Sequence, residues 1–142
     1  MIFAAGIFSG ILNGTHAIEA MAETLISWIP IQHANWIPTL TAITSMPFSL
    51  LFTPDAYYFG VVPILAKTVS SFGMDALEIG RAALLGQMTV GFPISPLTAS
   101  TFLLINLTGV ELGDHQKNVI PWAMGTTLVM TFFALLSGSI HL

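Results

Sequence analysis

Gly91-Phe92-Pro93-Ile94-Ser95-Pro96 stands in the middle of residues 82–110, a tract without one charged side chain. The tract is long enough to cross about 30 Å of hydrocarbon as a helix at about 1.5 Å per residue. Two prolines at its centre forbid a continuous helix, because each removes an N–H and disfavours the α conformation before it. Irregular backbone at membrane depth is tolerated only where it is buried in protein or lines a wet cavity. A spanning tract broken at its midpoint is the arrangement by which membrane transporters build a binding site.

Composition points the same way. Charged residues make up 7% of the 142-residue chain, against roughly 25% in a soluble domain, and hydrophobic residues reach 54%. Residues 1–18, 24–54 and 118–142 are also free of charge, so three to five membrane elements are expected in an all-α membrane protein. The net charge is −4 and the basic residues Lys67, Arg81 and Lys117 are scattered, which excludes a nucleic-acid surface. Without cysteine the chain has no disulfide and no thiol chemistry. The start lacks the basic region of a signal peptide and reads as a first membrane helix or as the interior of a longer chain.

Five elements follow along the chain. Residues 1–13 read as a membrane helix, with Gly6 and Gly10 spaced for close helix packing. Residues 16–29 form an interfacial helix, Ile18, Met21, Ala22, Leu25, Ile26 and Ile29 on one face and Glu19 and Glu23 on the other. Residues 39–69 are apolar at both ends but carry Ser45-Met46-Pro47 and Thr53-Pro54-Asp55 at the middle, which predicts a re-entrant hairpin with its tip at a site. Residues 77–107 form the broken transmembrane helix, with Asp75 as N-cap, and residues 109–117 an aqueous loop. Residues 120–136 are the last span, with Trp122 near an interface.

Thr53-Pro54-Asp55 has the grammar of a helix start, Thr53 as N-cap and Pro54 at the first helical position, and Ser95-Pro96 repeats it. Two half-helix N-termini facing one cavity would offer free N–H groups to carboxylate oxygens. Ser45, Thr53, Ser95 and Thr98 are therefore the candidate substrate-binding residues. Asp55 is an acidic residue closely flanked by membrane-type sequence, where burial costs about 3 kcal/mol. It is read as facing a cation, whether a proton, a sodium ion or a divalent metal, against the plainer reading of a charge that complements the helix dipole. Gln87, Thr89 and Asn106 are lesser candidates. An intramembrane hydrolase is disfavoured, because no His lies mid-span beside a Ser. His16, His33, His115 and His141 read as surface residues.

Ala4-Ala5-Gly6-Ile7-Phe8, Ser45-Met46-Pro47, residues 52–60 (FTPDAYYFG) and residues 91–97 (GFPISPL) resemble the C-terminal part of citrate transporters of the CitMHS type, in the ion transporter superfamily. The resemblance covers nearly the whole chain. It implies one of two inverted repeats, as in dicarboxylate/sodium symporters, with residues 39–69 as the hairpin, 77–107 as the broken helix and 120–136 as the final helix. It further implies a multi-pass protein of the cell (inner) membrane, in contact with lipid, that takes up citrate complexed with Mg2+ or another divalent ion together with protons. No permanently bound cofactor is implied. Members of the family are about three times longer, so the partner would be the first repeat, another transporter subunit, or a second copy in a homodimer. The alternative is a small non-transporting packing subunit, using Gly6, Gly10 and Gly86, or an inactive truncated remnant.

Overall fold

The computed structural model describes residues 6–7, 10–12, 14–28 and 33–141, and every regular element among them is helical. The expected membrane helix over 1–13 lies largely outside the described residues, as does the Ala4-Ala5 motif. Among the described residues nothing lies within 4 Å of where a side chain on Gly6 or Gly10 would begin.

Helix α1 (Ala17–Trp28) follows His16, which adopts a left-handed φ of 54° and turns the chain into it. Ile18 and Ala22 are its buried side chains, whereas Met21 is exposed. Glu19 does not face outward with Glu23 but reaches Lys67 at 3.8 Å, a half-exposed pair of little energetic weight.

Helix α2 (Trp36–Phe48) runs through Ser45-Met46-Pro47 without a break, contrary to the expected interruption. Pro47 stands next to the last helical residue, so its missing N–H costs one bond near an end that frays anyway. Ser45 and Ser49 fold back on Ala42 O and Met46 O at 2.7 and 2.6 Å. Tightened turns over Ser49, Leu50 and Leu51 then reverse the chain. Thr53 is extended and starts α3, whose consecutive pieces are Pro54–Ala56, a π turn Tyr57–Val61, and Val62–Ser71. The π turn ends two residues before Pro63, which has no N–H to return to Phe59. Ile37 and Val69 share one apolar cluster and the Phe48 and Tyr57 rings sit 6.1 Å apart. The two helices therefore run antiparallel as an open helical hairpin, whose arms pack mainly on the helix that follows and not on each other.

Gly73, at φ 81°, closes a short loop, and Asp75 caps helix α4 (Ala76–Gly86) by accepting from Leu77 N at 2.9 Å, as expected. Glu78 lies in the first turn of α4, and it is buried. Its carboxylate accepts from His141 N at 3.2 Å and lies 2.8 Å from His141 Nδ1, while Ile140 packs between Ala42 and Ala82. Residues 140–141 are accordingly folded back onto α2 and α4, and His141, a surface residue as expected, has Glu78 as its partner.

A π turn, Gln87–Gly91, extends α4 to the prolines, where the helix stops. Helix α5 (Ala99–Thr108) resumes beyond them and ends on Gly109, at φ 67°. Helix α6 (Leu112–Leu136) begins eight positions earlier than the 120–136 reading, so most of the presumed aqueous loop is its first turns. Asp114 there complements the positive helix end. Among the described residues α6 is the one helix long and apolar enough to cross a membrane; the other apolar tracts are divided into shorter helices.

The core is strung along α2. Ile37, Ala42 and Met46 anchor successive clusters with Ile79, then Ala82 and Ile140, then Ile94 and Ala123. Met46 thereby fixes both the break, through Ile94, and α6, through Ala123.

Candidate functional site

The tip of the hairpin and the interrupted region of α4 and α5 face one another. Gly91 admits Ser49 against its backbone, and Gln87 Nε2 lies 3.5 Å from Phe52 O. Beside this contact is a cavity of about 530 Å³, within the usual range of about 300–1,000 Å³ for ligand pockets. Thr53, Pro54 and Asp55 line one side and Thr98, Ala99 and Ser100 the other, with Met88, Phe92 and Leu97 as its apolar wall. Two helix starts, distant in sequence, open onto a single space.

The two starts differ in charge and capping. At α3 the Thr53 hydroxyl accepts from Ala56 N at 3.3 Å, Pro54 has no N–H, and Asp55 adds a negative charge in the first turn. At α5 the N-cap is Thr98, not the expected Ser95, and its side chain caps no amide. Ser95 instead holds a turn, accepting from Leu97 N at 3.3 Å and, through its carbonyl, from Thr98 N at 3.4 Å. The Thr98 hydroxyl donates to Phe92 O at 2.7 Å. First-turn amides of α5 that the helix cannot use remain directed at its N-terminal end, where partial positive charge favours anions. One wall of the cavity thus favours a carboxylate and the other, through Asp55, a cation.

Of the substrate-binding residues expected from sequence, Thr53 and Thr98 are brought together, and Asp55 joins them. Asp55 is exposed within the chain rather than buried. Ser45 and Ser95 are buried away from the lining: Ser45 is pressed against Gly86, and Ser95 serves the turn. Gln87 is fully buried at the tip, and its Oε1 has no partner among the described residues. Thr89 returns its hydroxyl to Leu84 O at 2.7 Å, and Asn106 is exposed on α5. Among the described residues no group of three His, Asp or Glu side chains is placed to hold a metal ion.

Two residues not chosen from sequence reach the break beside the cavity. His115 Nε2 lies 3.2 Å from Pro93 O and Gln116 Nε2 donates to Ile94 O at 3.1 Å, both from the first turns of α6. The signal that could have found them is the turn at Ser95, which takes the amides of Leu97 and Thr98 and leaves the carbonyls of Pro93 and Ile94 for some other donor.

Comparison with known proteins gives relatives from Bacillus subtilis (strain 168). A protein named citrate transporter is 55% identical over 140 residues, covering 99% of this chain and 32% of the relative. A protein named Mg(2+)/citrate complex secondary transporter is 47% identical over 142 residues, covering 100% of this chain and 32% of its own length. A third, described as the uncharacterized transporter YraO, is 43% identical over 140 residues, with 99% and 32% covered. The chain spans about a third of the length of these relatives. No family model matches the chain, and no solved structure matches it. The resemblance to citrate transporters carried by the quoted motifs is borne out by these relatives. Transporter relatives and a chain so poor in charge place this protein in a membrane.

Proposed function

We propose that this chain is part of a secondary transporter for citrate or a related carboxylate, carried as a divalent-metal complex with proton symport. The observation that carries the reading is the cavity between the starts of α3 and α5, where amides favouring an anion face the Asp55 carboxylate. A citrate complex of Mg2+ presents both kinds of group, so it fits a site divided in this way. Its carboxylates would lie toward Ala99 and Ser100, and its metal or the coupled proton toward Asp55. Relatives named for citrate and for its Mg2+ complex support the same substrate class.

In this reading α2 and α3 are a re-entrant hairpin and α4 and α5 a broken membrane helix. Together with α6 they form one inverted repeat of a multi-pass protein of the inner membrane. The other repeat comes from a longer polypeptide, a partner subunit or a second copy. Thr53 and Thr98 shape the two helix starts, and Asp55 couples the cation. The role is transport rather than catalysis.

Uptake of labelled citrate by cells expressing the protein tests this. Uptake above the empty control that rises with Mg2+, and is lost in Asp55→Asn while the protein still reaches the membrane, is the expected result. Uptake that never exceeds the control counts against transport by this chain without a further repeat, and unchanged kinetics in Asp55→Asn remove its coupling role.

A further inference from the structure

An interrupted helix leaves a definite set of backbone groups to account for. In an unbroken helix Phe92 O would accept from residue 96, Pro93 O from Leu97 and Ile94 O from Thr98. Pro96 has no N–H, Leu97 N is taken by the Ser95 hydroxyl, and Thr98 N turns back to Ser95 O. Three consecutive carbonyls are thereby freed. An unpaired carbonyl in an apolar surrounding costs several kcal/mol.

Each of the three is met by a side chain. Phe92 O accepts from Thr98 Oγ1 at 2.7 Å, with Thr101 Oγ1 at 3.4 Å. Pro93 O lies 3.2 Å from His115 Nε2, and Ile94 O accepts from Gln116 Nε2 at 3.1 Å. A carbonyl only accepts, so His115 donates from Nε2–H. The threonines belong to α5 itself. His115 and Gln116 come from another element, are adjacent in sequence, and serve adjacent carbonyls. Ile94, between them and the core, is buried against Met46 and Ala123.

We infer that His115 and Gln116 are positioning residues that hold the 92–98 segment open, so that the start of α5 faces the substrate cavity. Neither lines the cavity. They act through the peptide units of Pro93 and Ile94, whose orientation sets where Leu97, Thr98 and Ala99 stand. The inference rests on the reading of that cavity as the substrate site, but its geometric content can be tested without substrate.

The chain has no cysteine, so single thiols report cleanly. Leu97→Cys in the cavity wall, with Leu77→Cys at the far end of α4 as a reference, are labelled with a hydrophilic maleimide in the membrane-reconstituted full chain. His115→Leu and Gln116→Met, which remove the donors, are expected to change labelling at position 97 about five- to tenfold, the weight of a lost hydrogen bond. The reference thiol is expected to stay at its wild-type rate. His115→Gln restores an N–H donor and is expected to return position 97 to within about twofold of wild type.

Wild-type labelling in both donor-less variants overturns the inference. So does equal disturbance in His115→Gln and His115→Leu, or acceleration of both thiols together, since each would mean bulk packing and not donation. If a donor-less variant fails to insert, Gln116→Glu keeps the size and turns a donor into an acceptor, and it must disturb position 97 alone. Magnesium citrate added to the wild-type background reads the other claim. Failure of the ligand to slow labelling at 97, with the variant pattern intact, sinks the transport reading and leaves the positioning role standing.

Discussion

Gly86 and Gly91 are the residues at which α4 comes closest to the hairpin. A Cβ on Gly86 would meet the Ser45 hydroxyl and lie 2.5 Å from Met46 N, which is backbone and cannot step aside. Gly91 is held as closely against Ser49. Gly60, in the π turn of α3, has nothing within 4 Å. Gly86→Ala is therefore expected to destabilise the chain by about 1–3 kcal/mol through overpacking, whereas Gly60→Ala is neutral or stabilising by up to about 1 kcal/mol. Unfolding midpoints in detergent micelles check both, and equal midpoints would contradict the close crossing. Local rules made Thr53 and Asp75 legible as caps, because a cap bonds an amide within a few residues. Ser45 and Ser95 were misplaced for the converse reason. Their surroundings are set by Gly86 and by the turn before Thr98, which spacing along the chain does not reveal. His115 and Gln116 escaped notice because their partners lie 22 positions away.

At the scale of elements, prolines do different things according to where they fall. Pro47 ends a helix it does not break, Pro63 follows a π turn, and Pro121 lies inside α6. Among the described residues, Pro93 and Pro96 mark a place where a helix stops outright, since here two come within one turn and side chains are present to take the freed carbonyls. That stop was readable from Gly91-Phe92-Pro93-Ile94-Ser95-Pro96, and so was the start of α3 from Thr53-Pro54-Asp55. The start of α6 was not, because Asp114, His115 and Lys117 resemble a loop until their place in the first turns of a helix is seen. The double variant Pro93→Ala, Pro96→Ala supplies two N–H groups that compete for residues 89 and 92. It is expected to gain helix by circular dichroism and to bind magnesium citrate at least about tenfold more weakly, as the free start of α5 is lost. Wild-type affinity in a variant that has gained helix would show the break to be dispensable.

The whole molecule is exposed where a soluble protein would be closed. On α5 only Thr101 is buried, and Leu103, Leu107, Trp122, Phe132 and Phe133 are open along α5 and α6. Composition announced the membrane class, and periodicity announced helices; how many helices would be long enough to span was not readable, because charge-free tracts do not show where turns divide them. The relatives are about three times the length of this chain. Whether the starts of α3 and α5 share one substrate cavity is decided by Ser100→Cys, labelled with a hydrophilic maleimide with and without magnesium citrate, beside Trp122→Cys on the outer face of α6. Magnesium citrate is expected to slow labelling at position 100 by about fivefold or more, while free Mg2+ does not and position 122 is unaffected. Identical rates at position 100 with and without saturating magnesium citrate would contradict the account.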